Sequence, residues 1–435
     1  MVIESLKYKI LQQFGFAPTQ EQGQALDTFV SFLTDRDPQA VMILRGSAGT
    51  GKTSLSGAIV RTLLQIRQKV MLLAPTGRAA KVFSLGSGAP AYTIHRRIYR
   101  EKAFAGVDGQ FGLNDNLYTD TLFMVDEASM IANMGLGGTT FGSGCLLDDL
   151  VKFVYQGHND RLLLIGDKAQ LPPVGEEESP ALSASVMEGY GLKVYECDLN
   201  EVLRQSQSSG ILYNATLIRQ MITHDAVTGL PLIRFKGFAD IVMMPGAELV
   251  ESLGDSYHHV GMDETMVITR SNKRANIYNN GIRNMVLDRE EELSSGDMLM
   301  IVKNNYFWTE KEKKESGEGS AGAVPAFLAN GDRAKVLRVS NYIELYGFRF
   351  ATLLLQLPDY DDYEMQVTGM LDTLQSEAPA LTHEQQEELF RQVEEDYQHF
   401  VPLKADRMKS IRQDAYFNAL QIKYAYACLL YTSEA

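Results

Sequence analysis

The chain has 435 residues, of which 45% are hydrophobic and 22% charged. That is the balance of a globular protein with apolar material for more than one core, and it excludes a mostly disordered chain. At roughly 100–200 residues per domain, the length predicts about two to four domains. No apolar run reaches the ~20 residues of a membrane helix, and Met1-Val2-Ile3-Glu4 has no basic segment leading into an apolar stretch. The cysteines, Cys145, Cys197 and Cys428, are odd in number and far apart, which supports neither a disulfide framework nor a zinc knuckle. A reducing, cytoplasmic location is therefore the expectation.

The net charge is −14, from 41 basic and 55 acidic residues, which argues against a surface that coats nucleic acid indiscriminately. The distribution is uneven. Asp359–Asp396 carries twelve acids and one base, whereas Gly77–Lys102 carries six bases and one acid, and Ile268–Arg283 four bases and no acid. Two basic patches on an acidic body suit a confined nucleic-acid track and equally suit ordinary surface scatter.

In chain order, Thr19–Leu33 reads as a helix and Ala40–Leu44 as a short, continuously apolar strand. A helix over Thr53–Ile66 follows, then apolar strands at Val70–Ala74, Leu122–Val125 and Leu162–Ile165. Such runs suit strands covered on both faces of a parallel sheet. Gly135–Gly144 is a loop by composition. A second α/β region is expected from near Asp198, with a strand at Met266–Thr269 and a helix at Lys273–Asn284. The composition then shifts: Gly296–Lys303, Ala334–Val339 and Arg349–Leu357 read as antiparallel strands, with a hairpin signal at Asn330-Gly331. Thr309–Gly322 reads as a mobile loop. Thr382 and Gln385 form a capping-box pattern ahead of a helix to Phe400, and Leu420–Leu430 is a last apolar segment.

The most specific signal is Gly46-Ser47-Ala48-Gly49-Thr50-Gly51-Lys52-Thr53, which follows an apolar strand and opens a helix. Its glycines let backbone N–H groups converge on phosphate oxygens, and the helix points its positive end at the same anion. Lys52 is expected to reach the β- and γ-phosphates and Thr53 to hold Mg²⁺. Leu122-Phe123-Met124-Val125-Asp126-Glu127 supplies the metal carboxylate, Asp126, at a strand end, with Glu127 beside it to orient or deprotonate water. Together the two motifs imply nucleoside-triphosphate hydrolysis, with ATP and Mg²⁺ as cofactors, and leave open what it drives.

Further segments follow in order: Thr19-Gln20-Glu21-Gln22, Ala74-Pro75-Thr76-Gly77-Arg78-Ala79-Ala80-Lys81, Thr93-Ile94-His95-Arg96, Gly166-Asp167-Lys168-Ala169-Gln170-Leu171-Pro172-Pro173-Val174, Leu199-Asn200-Glu201-Val202-Leu203-Arg204-Gln205 and Thr269-Arg270-Ser271-Asn272. As a set they resemble the superfamily-one DNA helicases of the RecD/Dda-like branch. The resemblance implies two RecA-like domains with ATP between them, moving on single-stranded DNA and at duplex/single-strand junctions in the 5′-to-3′ direction. It implies that Gln22 reads adenine, that Gln170 couples phosphate state to DNA, and that Arg204 reaches the γ-phosphate. Pro75, Thr76, Arg78, Thr93, His95, Arg96 and Asn272 become the DNA contacts. On residue chemistry alone His95 is equally a satisfied buried histidine, and its basic neighbours point towards DNA.

Phe104-Ala105-Gly106-Val107-Asp108-Gly109-Gln110-Phe111 reads as a hairpin with Asp-Gly at its turn. The resemblance makes it a strand-separating hairpin in which Phe104 or Phe111 stacks on the last base pair; the alternative is that both pack on its own base. The expected organisation is α/β: a first RecA-like domain over residues 1–197 with the hairpin insertion at 88–118, and a second over 198–288. An SH3-like β insertion with an acidic helical segment would occupy 289–415, and an incomplete return 416–435. After Ile422–Ala427 the family continues into further motifs, one with a second arginine; here Cys428–Ala435 ends the sequence. The expectation is a truncated chain that binds nucleotide but neither unwinds DNA nor hydrolyses ATP at a helicase rate. The other readings of the set are a P-loop ATPase acting on protein partners and a non-catalytic DNA-binding fragment.

Overall fold

The structure is a computed structural model. It describes residues 2–47, 49–103, 110–134, 142–173, 175–201, 209–223, 229–316, 324–325, 327–401 and 403–429. These residues fall into two compact units, one up to Met243 and one from Met244. Among them, no helix is long and apolar enough to cross a membrane.

The first unit carries eight strands: β1 (Ala40–Gly46), β2 (Lys69–Ala74), β3 (Ala91–Thr93), β4 (Tyr99–Ala103), β5 (Gln110–Leu113), β6 (Thr121–Val125), β7 (Arg161–Gly166) and β8 (Lys193–Leu199). Six form one sheet in the order β3-β2-β6-β7-β1-β8, every pair parallel. Alternation along each central strand splits the apolar residues between two cores. Met42, Leu44, Leu122, Met124, Leu163 and Ile165 face helices Val2–Phe14, Gln20–Leu33 and Lys52–Gln65. Val41, Ile43, Phe123, Val125, Leu162 and Leu164 face the other way, onto Ile94, Ile98 and helix Leu146–Gln156. This is why the runs are continuously apolar: both faces are covered.

Strands β3 and β8 escape the apolar-run signal. β8 reads Lys-Val-Tyr-Glu-Cys-Asp-Leu and is half polar because it is an edge strand. The buried Arg45 near the end of β1 pins it: Nε donates to Asp198 at 2.6 Å, and Nη2 reaches Asp198 and Glu196, each at 2.8 Å. The expected boundary at residue 198 is thus corrected. β8 runs through it, and helix Gly210–Thr223 also belongs to the first unit. β4 and β5 pair antiparallel as the base of the expected hairpin.

In the second unit β9 (Val267–Thr269) is followed by helix Asn272–Gly281. Next come β10 (Met298–Ile301), β11 (Arg333–Leu345), β12 (Phe348–Leu357), β13 (Tyr363–Met370) and β14 (Leu420–Tyr424), which close into a five-stranded barrel. β15 (Ala427–Leu429) then pairs in parallel with β9, so the barrel is an insertion between two adjacent parallel strands. Three expectations are corrected. Leu420–Tyr424 closes the barrel, so the return to the α/β part begins only past Tyr424. The expected loop at Thr309 is instead part of helix Phe307–Ser316, anchored by buried Trp308, whose indole N–H donates to Asn418 O at 2.9 Å. The tight hairpin lies at Tyr346-Gly347, both at positive φ (57° and 75°), and not at Asn330-Gly331.

One buried ionic cluster joins the barrel to its α/β host. Asp297 is fully buried and accepts from Arg283 Nε at 3.1 Å and Nη2 at 3.0 Å, Arg289 Nη1 at 2.6 Å, Ser294 N at 2.7 Å and Tyr426 Oη at 2.8 Å. Burial opposes ionisation, yet Arg283, Ser294 and Arg289 outweigh it and hold the carboxyl below its usual range. Asp297→Ala would strand two guanidinium groups in the interior and should cost about 3–5 kcal/mol, read from denaturant unfolding. The carboxyl's contribution is present above the ordinary unfolded value of ~3.9 and is lost as pH falls below it, so the variant's deficit should shrink in acid.

Candidate functional site

The register of the sheet sets the site. Arg45 of β1 stands beside Gly166 of β7, and Val125 of β6 beside Leu164. The loops that follow β1, β6 and β7 therefore emerge together at the carboxyl edge of the sheet, where open α/β sheets bind ligands.

The glycine-rich loop leaves β1 at Gly46, where a Cβ would stand 2.9 Å from Leu199 Cβ and 2.9 Å from Thr50 Oγ1. Gly49 and Gly51 adopt φ of 81° and 84°, the left-handed region that glycine enters without strain. Ser47 N donates to Leu199 O at 3.2 Å and Thr50 Oγ1 to Ser47 O at 2.8 Å, which closes the loop on itself. Ala48 lies outside the described residues. Lys52 folds back, its Nζ donating to Gly46 O at 2.5 Å and Ser47 O at 2.9 Å. Burial pulls its pKa down, against the attraction of Asp167, Glu127 and Asp126. Thr53 is exposed in the first turn of helix Lys52–Gln65.

Asp126 follows β6, and its Oδ1 accepts from Glu127 N at 2.9 Å. Burial raises both carboxyl pKa values, and the Asp126 charge raises that of Glu127 further. Glu127 takes φ of 53°, a left-handed conformation that a glutamate adopts at a cost. A half-buried carboxylate of raised pKa suits a general base. Gln170 Oε1 accepts from Ser129 Oγ at 2.9 Å, and Gln170 lowers the Glu127 pKa against the effect of burial. Thr53 and Asp126 offer the hard oxygen donors that Mg²⁺ prefers alongside phosphate oxygens. Among the described residues no cluster of three or more His, Cys, Asp or Glu could hold a metal by itself.

Two adjacent residues brace this edge. Gln22 is buried; its Nε2 donates to Thr50 O at 2.9 Å, and its Oε1 accepts from Thr19 N at 3.0 Å within a capping box. Its amide latches the loop and the helix start, whereas an adenine-reading role calls for a presented amide. Glu21, which no sequence reading singled out, accepts from Asn200 N and, at 2.8 Å, from Glu201 N. Its only sequence signal is its place in the first turn of the helix. A second missed residue is Arg219, whose Nη1 and Nη2 meet the two oxygens of buried Asp167 at 2.9 and 2.5 Å. No motif marks it, and its helix was expected in the other domain. Arg204 lies outside the described residues.

The expected DNA contacts divide. Arg78 and Arg96 are exposed, and Thr76 caps helix Gly77–Ser87 through Ala79 N. Pro75 is buried, and Thr93 is buried with its hydroxyl accepting from Arg96 N at 3.3 Å, so both are inside and not on the surface. His95 packs against Tyr99, ring centroids 5.6 Å apart, and burial lowers its pKa to about 4. It is thus a neutral, packed histidine. Asn272 belongs to the other unit, in the first turn of its helix. Phe104 lies outside the described residues, and Phe111 is described only by its backbone in β5, opposite Glu101.

A family model described as an AAA domain matches residues 17–228, a span that takes in the motif segments from Thr19 to Gln205 and Arg219 but not Thr269–Asn272. The ATP-dependent RecD2 DNA helicase of Deinococcus radiodurans is 30% identical over 157 residues, covering 36% of this chain and 18% of that protein. The ATP-dependent DNA helicase dda of Enterobacteria phage T4 is 25% identical over 267 residues, 59% of this chain and 55% of that one. The segment 17–228 thus carries the AAA-domain pattern, and the chain is similar over part of its length to two ATP-dependent DNA helicases. It spans about half the length of the phage helicase and less of the other. A Bacteroides Pif1 helicase structure aligns over 81% of this chain and 74% of its own, with 13% identity and a TM-score of 0.42.

The packed state of His95 has a pH signature. The unfolded chain takes up its proton near pH ~6.5, the folded chain only near about 4. Stability from this group is full above the unfolded value and falls as pH drops towards the folded one. Urea unfolding at neutral pH and at about pH 5 should show a larger loss for wild type than for His95→Gln.

Proposed function

We propose that this chain is an ATP-dependent DNA motor. It would hydrolyse ATP with Mg²⁺ and couple that to movement on single-stranded DNA and strand separation at duplex junctions, in the 5′-to-3′ direction that its family branch implies. The observation that carries the reading is what one sheet edge brings together: Lys52 folded onto the phosphate loop, Asp126 accepting from Glu127 N, and Gln170 held by Ser129. In this reading Lys52 leaves its loop carbonyls for the β- and γ-phosphates, and Thr53 and Asp126 hold the metal. Glu127 takes the proton of the attacking water, and Gln170 transmits the state of Glu127 to β7. Arg204 would supply positive charge to the transferring phosphoryl group.

For DNA, the support is chemical. The described part of the basic stretch presents Arg78 and Arg96 outward, and Thr76 opens a helix N-terminus beside Arg78. Guanidinium groups and helix N-termini bind backbone phosphates without reading sequence. Asn272 and the Phe104–Phe111 hairpin would add contacts from the second unit and at the junction.

ATP turnover with and without single-stranded DNA tests the reading. DNA should stimulate it, and binding should weaken steeply as salt rises. Lys52→Ala should lose nucleotide binding; Glu127→Gln should keep it and lose turnover by about 10²–10⁴. Turnover indifferent to DNA would move the reading to an ATPase acting on protein partners. Tight DNA binding with no turnover would make the chain a binding fragment.

A further inference from the structure

We propose that Arg219 is a positioning residue, which pairs Asp167 so that Lys52 stays available to the phosphate. The inference rests on the nucleotide-site reading and deepens it.

Three carboxylates converge on this sheet edge: Asp126, Glu127 and Asp167. Arg45 pairs with Gly166, so Asp167 leaves the sheet beside Gly46, whose carbonyl holds Lys52 Nζ. Asp167 is also well enclosed, with a side chain 4% exposed, so it cannot leave its charge to water. Left alone, a buried carboxylate recruits the available cation, and Lys52 is that cation. In the structure this does not happen. Lys52 Nζ donates to two loop carbonyls, which hold it without a formal counter-charge. Both oxygens of Asp167 are taken instead by the guanidinium fork of Arg219, at 2.9 and 2.5 Å, and Oδ1 also accepts Ala169 N at 3.0 Å.

The arrangement suits a site that must attract a polyanion. A lysine bonded to neutral carbonyls is released cheaply, whereas one locked to a buried carboxylate must break a charge-assisted bond first. Arginine fits the task better than lysine because its planar fork satisfies both carboxylate oxygens at once and its charge does not titrate. The pairing also ties helix Gly210–Thr223 to the turn after β7 that carries Gln170.

The test is titration of a fluorescent ADP analogue with Mg²⁺ into wild type, Arg219→Gln, Arg219→Lys, Asp167→Asn and the double variant Asp167→Asn/Arg219→Gln. Thermal melting is recorded for each. Arg219→Gln should bind about tenfold or more weakly, and Arg219→Lys should fall between. The double variant, having no carboxylate to capture Lys52, should recover most of the affinity. A direct phosphate contact by Arg219 would leave the double variant as weak as Arg219→Gln, and that result overturns the proposal. So does wild-type affinity in Arg219→Gln. If Arg219→Gln does not fold, Arg219→Lys and the double variant still decide. Absence of binding by wild type itself would remove the site reading and the pairing with it, whereas binding lost in Lys52→Ala and unchanged in Arg219→Gln removes the pairing alone.

Discussion

Strand β7 is hydrogen-bonded in parallel to β1 on one side and β6 on the other, and the chemistry of the first unit depends on that placement. The phosphate loop and the Asp126–Glu127 pair are about 75 residues apart in sequence and lie on strands that never touch. β7 spaces them, and the turn after it delivers Asp167 and Gln170 into the gap. A parallel register in which all carboxyl ends share one edge makes this automatic. Its continuously apolar composition, covered on both faces, holds the edge rigid enough for bonds of under 3 Å to matter.

Electrostatics at that edge is a balance of buried charges. Three acids would repel a nucleotide if each stood uncompensated. Burial raises the pKa of Asp126 and Glu127, Arg219 neutralises Asp167, and Lys52 rests on carbonyl oxygens. The neighbouring Glu21 and Gln22 brace the same edge from the first helix, one holding the exit of β8 and the other the phosphate loop. The left-handed backbone at Glu127 adds local strain at the same edge.

The second unit solves a different problem. A barrel inserted between two adjacent parallel strands must leave and return at nearly the same point. Asp297 holds the two ends together: it gathers Arg283 from the helical side, Arg289 from the connection and Tyr426 from the returning chain. Asn279 completes the junction by bonding Ala427 N at 2.7 Å and Ala427 O at 2.9 Å, giving β15 side-chain partners beside its pairing with β9. These are polar groups in a dry place, fully satisfied, and they specify the junction in a way apolar packing alone would not.

The sequence by itself determined whatever is local. The phosphate loop, the strand-borne Asp126, the capping boxes at Thr19 and Thr382 and the buried central strands were legible because each follows from spacing within a few residues. Tertiary structure decided what depends on which distant residues meet. β8 is half polar because Arg45 needs Glu196 and Asp198, and no local pattern announces that. Gln22 carries the family's residue type, yet its amide is consumed by the loop it supports. Thr93 and His95 sit in a basic segment, yet the fold turns the hydroxyl into a cap and packs the half-buried imidazole against Tyr99. Arg219 belongs to no motif, and only the packing of its helix under the turn after β7 gives it Asp167. Local spacing reports hydrogen bonds that close within a turn or a strand; long-range partners are chosen by sheet order and helix packing, which a single sequence does not display.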